Sequence, residues 1–175
     1  FHQVYSNSLQ NEVVSGLSGK TSVKMINPLN REMAYLRTTL LPGLMKAADF
    51  NIKNGSSNIR LFECANVHEQ TSDGIEGIHE NRHLAGIILG EEEPASIHNE
   101  ASEEDLFTLK GYICGLFSGK YGMRVELEEH PGFDYAQTIL INRQNVGAMG
   151  RLSSYWIQKM DLDIDDVCGF EINLE

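Results

Sequence analysis

Residues 27–68 read NPLNREMAYLRTTLLPGLMKAADFNIKNGSSNIRLFECANVH, and the reading of this stretch as a helix followed by a strand settles the kind of fold. Thr39 offers a hydroxyl to cap a helix, Pro42 falls in the first turn where its missing N–H does no harm, and Gly55 follows the last periodic residue as a stop. Between these signals Leu41, Met45, Ala48 and Ile52 recur at helical spacing. Lys46, Asp49 and Lys53 take the other side, with Asp49 set for an i,i+4 pair to Lys53. A cap contributes about 1 kcal/mol, whereas burying one large apolar side chain contributes about 1.5–3 kcal/mol. The helix therefore depends on docking, and the strand after it is the nearest dock. From Asn58 to His68 the alternation has period two: Ile59, Leu61, Ala65 and Val67 share one face, and Arg60, Phe62, Cys64, Asn66 and His68 the other. Glu63 interrupts the apolar face. A carboxylate among core positions needs a cation, and Arg37 is the expected partner.

The rest of the chain supplies more strands than helices. Strand formers open it from Phe1 to Ser8, Gly16 to Gly19 reads as a turn or loop, and Thr21 to Ile26 as a short strand closed by Asn27-Pro28. Gln70 to Gly77 is a polar turn leading to the apolar run LAGIIL at Leu84 to Leu89, which suggests antiparallel neighbours. Glu91 to Glu104 is acidic, broken by Pro94, and reads as a surface loop. Ser102 with Asp105 resembles a capping box ahead of Leu106, Leu109, Ile113 and Leu116 or Phe117, a second helix that ends near Lys120 to Gly122. Met123 to Glu129 alternates as a strand, and His130-Pro131-Gly132 turns. Gln137 to Ile141 pairs with Val146 to Gly150 across NRQN as a hairpin, Ser153 to Met160 makes a short helix, and Gly169 to Leu174 a last strand. Strands in runs, without strict alternation with helices, predict an α+β fold: an antiparallel sheet with helices against it.

Composition narrows the function. The 175 residues fit one domain with a sizeable core, and 41% hydrophobic content is ordinary for a globular chain. A net charge of −11 argues against the whole surface acting as a clamp for nucleic acid, whose affinity comes largely from Lys and Arg. No apolar run reaches the length of a spanning helix and no secretory signal opens the chain, so a soluble, cytoplasmic protein with no membrane partner is expected. Cys64, Cys114 and Cys168 form no CxxC and are odd in number, and read as small buried hydrophobes in a reducing compartment.

One motif is tempting. His79-Glu80-Asn81-Arg82-His83 spells HExxH, which on a helix puts two imidazoles on one face for zinc with the glutamate as general base, and Glu100, Glu103 or Glu104 as third ligand. The context is wrong for it: Gly74 and Gly77 precede the motif and a strand-like run follows at once. No P-loop, GxGxxG or GxSxG pattern is present. His130 reads as a turn residue, and Tyr155-Trp156 as core or interface.

The run NPLNREMAYLRTTLLPGL, then NIRLFECANVH, DLFTLKG and finally GFEINLE resembles, in that order, the catalytic-like module of the phenylalanyl-tRNA synthetase beta subunit family, over nearly the whole of residues 1–175. That resemblance implies a class II aminoacyl-tRNA synthetase-like core and a segment of a much longer beta chain, as an initial Phe1 also suggests. Class II enzymes hold ATP phosphates with a motif 2 arginine and an arginine-ending motif 3, since phosphate charge needs cations nearby. Here the motif 2-like strand continues as Val67-His68-Glu69-Gln70, and the motif 3-like end is Gly169-Phe170-Glu171-Ile172-Asn173-Leu174-Glu175, without arginine. Phe133 stands where a basic residue often follows HPG, and Ser153-Ser154 where HP is usual, which puts contacts carried over at those places in doubt.

The resemblance then implies a non-catalytic module with no cofactor of its own. It packs against the catalytic alpha subunit in an (αβ)2 assembly, where alpha binds ATP, magnesium and phenylalanine, and tRNA(Phe) is engaged by the holoenzyme. Editing belongs to another beta domain. Two alternatives stay open: an active class II-like adenylating domain with displaced ATP residues, and a zinc peptidase through His79, Glu80 and His83. Leu44 and Phe50, apolar on the central helix, are candidates for the alpha interface, against the simpler reading that they are core.

Overall fold

The structure, a computed structural model, describes residues 15–28, 34–93, 102–103, 105–117 and 123–175. Phe1 to Ser8, most of the acidic stretch after Glu93 and the segment Lys120 to Gly122 lie outside them. A helix α1 (Leu41–Lys53) is followed by strands β1 (Ile59–Gln70) and β2 (Ile78–Leu89), a small hairpin β3 (Glu91–Glu93) and β4 (Ser102–Glu103), and helix α2 (Leu106–Phe117). Strands β5 (Met123–Leu127), β6 (Phe133–Ile141) and β7 (Gln144–Leu152), a short helix α3 (Ser154–Lys159) and β8 (Cys168–Asn173) complete the order.

Six strands form one sheet in the order β1-β2-β8-β7-β6-β5, and every neighbouring pair is antiparallel. The last strand in sequence thus inserts at the centre, between the β1–β2 hairpin and the β5–β6–β7 meander. The strand alternation predicted for β1 is seen: Ile59 and Val67 are buried and Leu61 and Ala65 pack against them, under Leu41, Leu44, Met45 and Ala48 of α1. The opposite face puts Ile88, Ile139, Met149, Phe170 and Ile172 beneath Leu109 and Ile113 of α2. Covered on both sides, β2 is apolar without alternation through its second half.

Several local readings change. Residues 15–18 are helical, with the Gly19 N–H donating to the Ser15 carbonyl at 2.8 Å, where a turn was expected. Residues 21–26 contribute an isolated bridge, Lys24 to Tyr35, and no full strand. β2 begins at Ile78, six residues before the apolar run, because its twelve residues stay in register with all twelve of β1. Asp105 itself caps α2: its carboxylate accepts the N–H groups of Phe107 and Thr108, both at 2.8 Å, while Ser102 lies in β4. The β6–β7 turn is the two residues Asn142-Arg143, both at positive φ (52° and 68°), as a type I′ turn requires, so both strands run longer than the hairpin read from sequence. Of the cysteines only Cys168 is buried, since Cys64 and Cys114 fall on the outward sides of the edge strand and of α2.

Helix α1 keeps Pro42 in its first turn, the Asp49–Lys53 pair at 2.8 Å and Gly55 at φ 92° just past its end. Its start is capped by two groups. Leu40 occupies the cap position with no side-chain bond of its own; the Thr39 hydroxyl accepts the Leu41 N–H, as expected, and a carboxylate from β8 accepts the Leu40 N–H.

Candidate functional site

That carboxylate is Glu171. In β8 its neighbours Phe170 and Ile172 face α2, so the alternation of the strand turns Glu171 to the α1 side. His83 shares this face, two residues before Ala85 on β2. Glu171 Oε1 lies 2.7 Å from His83 Nδ1 and accepts the Leu40 N–H at 3.2 Å, while Oε2 accepts from the Thr39 hydroxyl. Thr39 Oγ1 in turn accepts the Leu41 N–H at 3.3 Å. The positive end of the helix dipole adds to these bonds. A side chain only 13% exposed is thereby satisfied as a carboxylate.

An ionised carboxylate only accepts, so His83 Nδ1 carries the shared proton. The residue is 7% exposed and its Nε2 is buried without a hydrogen-bond partner. In front of the group opens a cavity of 340 Å³, with Lys20, Thr38, Glu128, His130, Val146 and Gly147 among its walls. Lys20 is the sole Lys or Arg among the described residues lining it, and its Nζ lies 3.0 Å from Glu69 Oε2. At His130 burial holds the imidazole pKa below its ordinary value, against the pull of Glu171 and Glu128. The Gly132 N–H donates to His130 Nδ1 at 3.1 Å, which leaves Nε2 as the protonated nitrogen. A Cβ on Gly147 would stand 2.0 Å from the Glu171 carbonyl oxygen, so only glycine lets β7 come this close to β8 beside the cavity. The site can accept hydrogen bonds from a cationic or hydroxylic group; its single lysine is committed elsewhere.

The residues singled out from sequence fall in three places. Arg37 Nη1 donates to Glu63 Oε1 at 2.8 Å, Arg37 Nε donates to the Asn66 carbonyl at 3.0 Å, and the pair stands beside α1 outside the cavity lining. Leu44 is 5% exposed and lies in the core, whereas Phe50 is 68% exposed. The HExxH residues lie on β2, a strand, and not on a helix. Four residues along a strand span about 13 Å, so His79 and His83 cannot both reach one ion at the roughly 2 Å of a zinc–nitrogen bond. Among the described residues no cluster of three His, Cys, Asp or Glu side chains is arranged for a metal; Glu100 and Glu104 lie outside them. Trp156 donates to the Pro131 carbonyl at 2.8 Å and packs on the core, with Tyr155 edge-on to it at 4.8 Å and exposed.

Sequence reasoning did not find the Glu171–His83–Thr39 convergence. A signal existed: a carboxylate between two apolar residues of a short strand asks for donors, just as Glu63 did. Those donors sit 88 and 132 residues away in the chain.

A family model described as the phenylalanyl tRNA synthetase beta chain CLM domain matches residues 1–174. The phenylalanine–tRNA ligase beta subunit of Dechloromonas aromatica is 30% identical over 144 residues, covering 80% of this chain and 18% of that protein. The beta subunit from Listeria monocytogenes is 30% identical over 166 residues, covering 90% and 20%. The chain therefore spans about a fifth of the length of the curated relatives it matches. Among solved structures, a pyrrolysyl-tRNA synthetase of Desulfitobacterium hafniense superposes with a TM-score of 0.67 at 13% identity, over 99% of this chain and 59% of that one. A second structure of a pyrrolysyl tRNA synthetase from that organism gives 0.66 at 14%, over 99% and 57%. At such identity the likeness is one of fold, and it is the class II tRNA synthetase sheet.

Proposed function

We infer the role of this chain from the family it belongs to, that of the phenylalanyl tRNA synthetase beta chain CLM domain. In this reading it is the non-catalytic, class II-shaped module of a phenylalanine–tRNA ligase beta subunit. It packs against a catalytic alpha subunit in an (αβ)2 assembly in the cytoplasm and supports aminoacylation of tRNA(Phe) there, while ATP and magnesium are handled by alpha. The observation that carries the non-catalytic part is the cavity on the α1 face of the sheet. A triphosphate needs fixed cations around it. Glu171 occupies the helix N-terminus where an anion is best received, Glu128 adds a second carboxylate to the lining, and Lys20 is tied to Glu69. These residues do not fit a nucleotide's phosphates.

The test is phenylalanine-dependent ATP–pyrophosphate exchange. The expected result is exchange by the alpha–beta assembly, none by this chain free of alpha, and co-purification of the two chains. Exchange by the chain without alpha overturns the reading in favour of an adenylating domain.

A further inference from the structure

The turn His130-Pro131-Gly132 is where helix α3 is fastened. The Gly132 carbonyl accepts the Ser153 N–H at 3.0 Å, at the cap of α3, and the Pro131 carbonyl accepts the Trp156 indole N–H at 2.8 Å. Six residues are too few to hold a helix unaided, so α3 depends on such anchors. On its other side the turn meets residues 15–18: a Cβ on Gly132 would stand 2.9 Å from the Leu17 carbonyl oxygen. The Trp156 ring reaches the same segment and lies 2.0 Å from where a Cβ on Gly16 would be.

Two bonds close the turn, the Phe133 N–H to the His130 carbonyl at 3.1 Å and the Gly132 N–H to His130 Nδ1 at 3.1 Å. The second is the imidazole counterpart of an Asx turn, in which a side-chain acceptor takes the N–H two residues on. It exists only while Nδ1 keeps its lone pair. A doubly protonated ring would set two N–H donors face to face, so the ring or the turn must move.

We propose that His130 is a pH-operated latch: a proton on Nδ1 opens the 130–133 turn and frees α3, with Trp156, from its mooring. Facing the imidazole in the same cavity are Lys20, bonded to Glu69, His83, bonded to Glu171, and the carboxylates of Glu128 and Glu171. At α3, Lys159 Nζ stands 5.5 Å from the Trp156 ring centroid. Asp134, which accepts the Ser154 N–H, titrates below the ordinary carboxyl range and so outside the imidazole window. Burial, the largest influence on His130, holds its pKa below the ordinary value, against Glu171 and Glu128. The folded chain thus favours the neutral ring. The latch is closed above the ordinary value of about 6.5 and opens as pH falls through the lower folded value. It lies wholly within this chain and does not rest on assembly with alpha.

Trp156 is the only tryptophan of the chain, so it reports this contact alone. Acrylamide quenching, which reads access to the indole, is followed from about pH 8 to about pH 5 on the full chain, with far-UV circular dichroism as the check on the sheet. A one-proton rise in quenching is expected, with its midpoint below about 6.5 and matching the His130 ring titration by NMR. In His130→Asn, whose side-chain carbonyl accepts the Gly132 N–H at every pH, the step should vanish and quenching stay at the wild-type neutral level. His130→Ala has no acceptor and should show the wild-type acid level throughout. Both variants are first checked for cooperative unfolding. The proposal is overturned by flat quenching in the wild type, by a step that coincides with loss of the sheet, or by a step that survives in His130→Asn. It is overturned equally if His130→Ala protects the indole as well as the neutral wild type does. If His130→Ala does not fold, His130→Asn against the wild type decides.

Discussion

Glu171→Ala removes one side chain and leaves three donors without their acceptor: His83 Nδ1–H, the Leu40 N–H at the start of α1 and the Thr39 hydroxyl. Hydrogen bonds to a charged group contribute about 1.5–3 kcal/mol each, though not additively. Leaving a buried donor without its acceptor costs about 1–3 kcal/mol. Glu171 retains 13% of its side-chain exposure, so water reaches part of the gap. The expected loss is about 3–4 kcal/mol, at the lower end of the sum for three such donors. For a chain of this length each kcal/mol moves the midpoint by about 2–4 °C, so thermal unfolding should drop by about 6–16 °C. Urea unfolding gives the free energy directly, and a cycle with His83→Leu isolates the pair. In the His83→Leu background one of the three orphans is gone, and Glu171→Ala should cost at least about 1 kcal/mol less. A loss under about 1 kcal/mol with no coupling to position 83 would refute the claim that this carboxylate fastens α1 to the centre of the sheet.

Other outcomes follow from single contacts. Gly147→Ala drives a Cβ into the β8 backbone and should cost more than about 2 kcal/mol in urea unfolding. Asp134 is held below the ordinary carboxyl range, chiefly by accepting the Ser154 N–H at 3.0 Å at the start of α3. Because its folded pKa is depressed, the stability it contributes is present above the unfolded aspartate pKa and fades as pH falls through the folded value; Asp134→Asn should flatten that part of the acid unfolding profile. Leu44→Asp places a charge in the core under α1 and should abolish cooperative unfolding, whereas Phe50→Ser should change stability by less than about 0.5 kcal/mol. If Phe50 meets the alpha chain, the Ser variant loses co-purification while staying folded; unchanged co-purification removes it from the interface.

Much of the architecture was legible because it is written in short-range periodicity. α1 could be read from its apolar spacing, Pro42 and Gly55, and β1 from strict alternation, since both patterns report which face is withdrawn from water. The Arg37–Glu63 geometry could be anticipated by a charge argument on one face. Errors came where two local signals competed. Ser102 and Asp105 both suit a cap, and the place goes to Asp105, whose carboxylate accepts the first N–H groups of α2, while Ser102 pairs with Glu93 across β3 and β4. HExxH was no such error: the glycines before it and the strand-like run after it argue against a helix, and β1 holds those residues in a twelve-residue ladder whose pairing outweighs any helical preference of five residues.

The order of residues along the chain was enough to specify the main helices and strands, a hairpin turn within NRQN, the antiparallel class and the family pattern. It could not specify the cavity. Thr39, His83 and Glu171 meet because β8 inserts between β2 and β7, and the free energy that selects this order comes from burying both faces of the sheet at once, under α1 and α2. Contacts between residues that far apart carry no local preference, so no window of sequence registers them, and they exist only once the layers have closed.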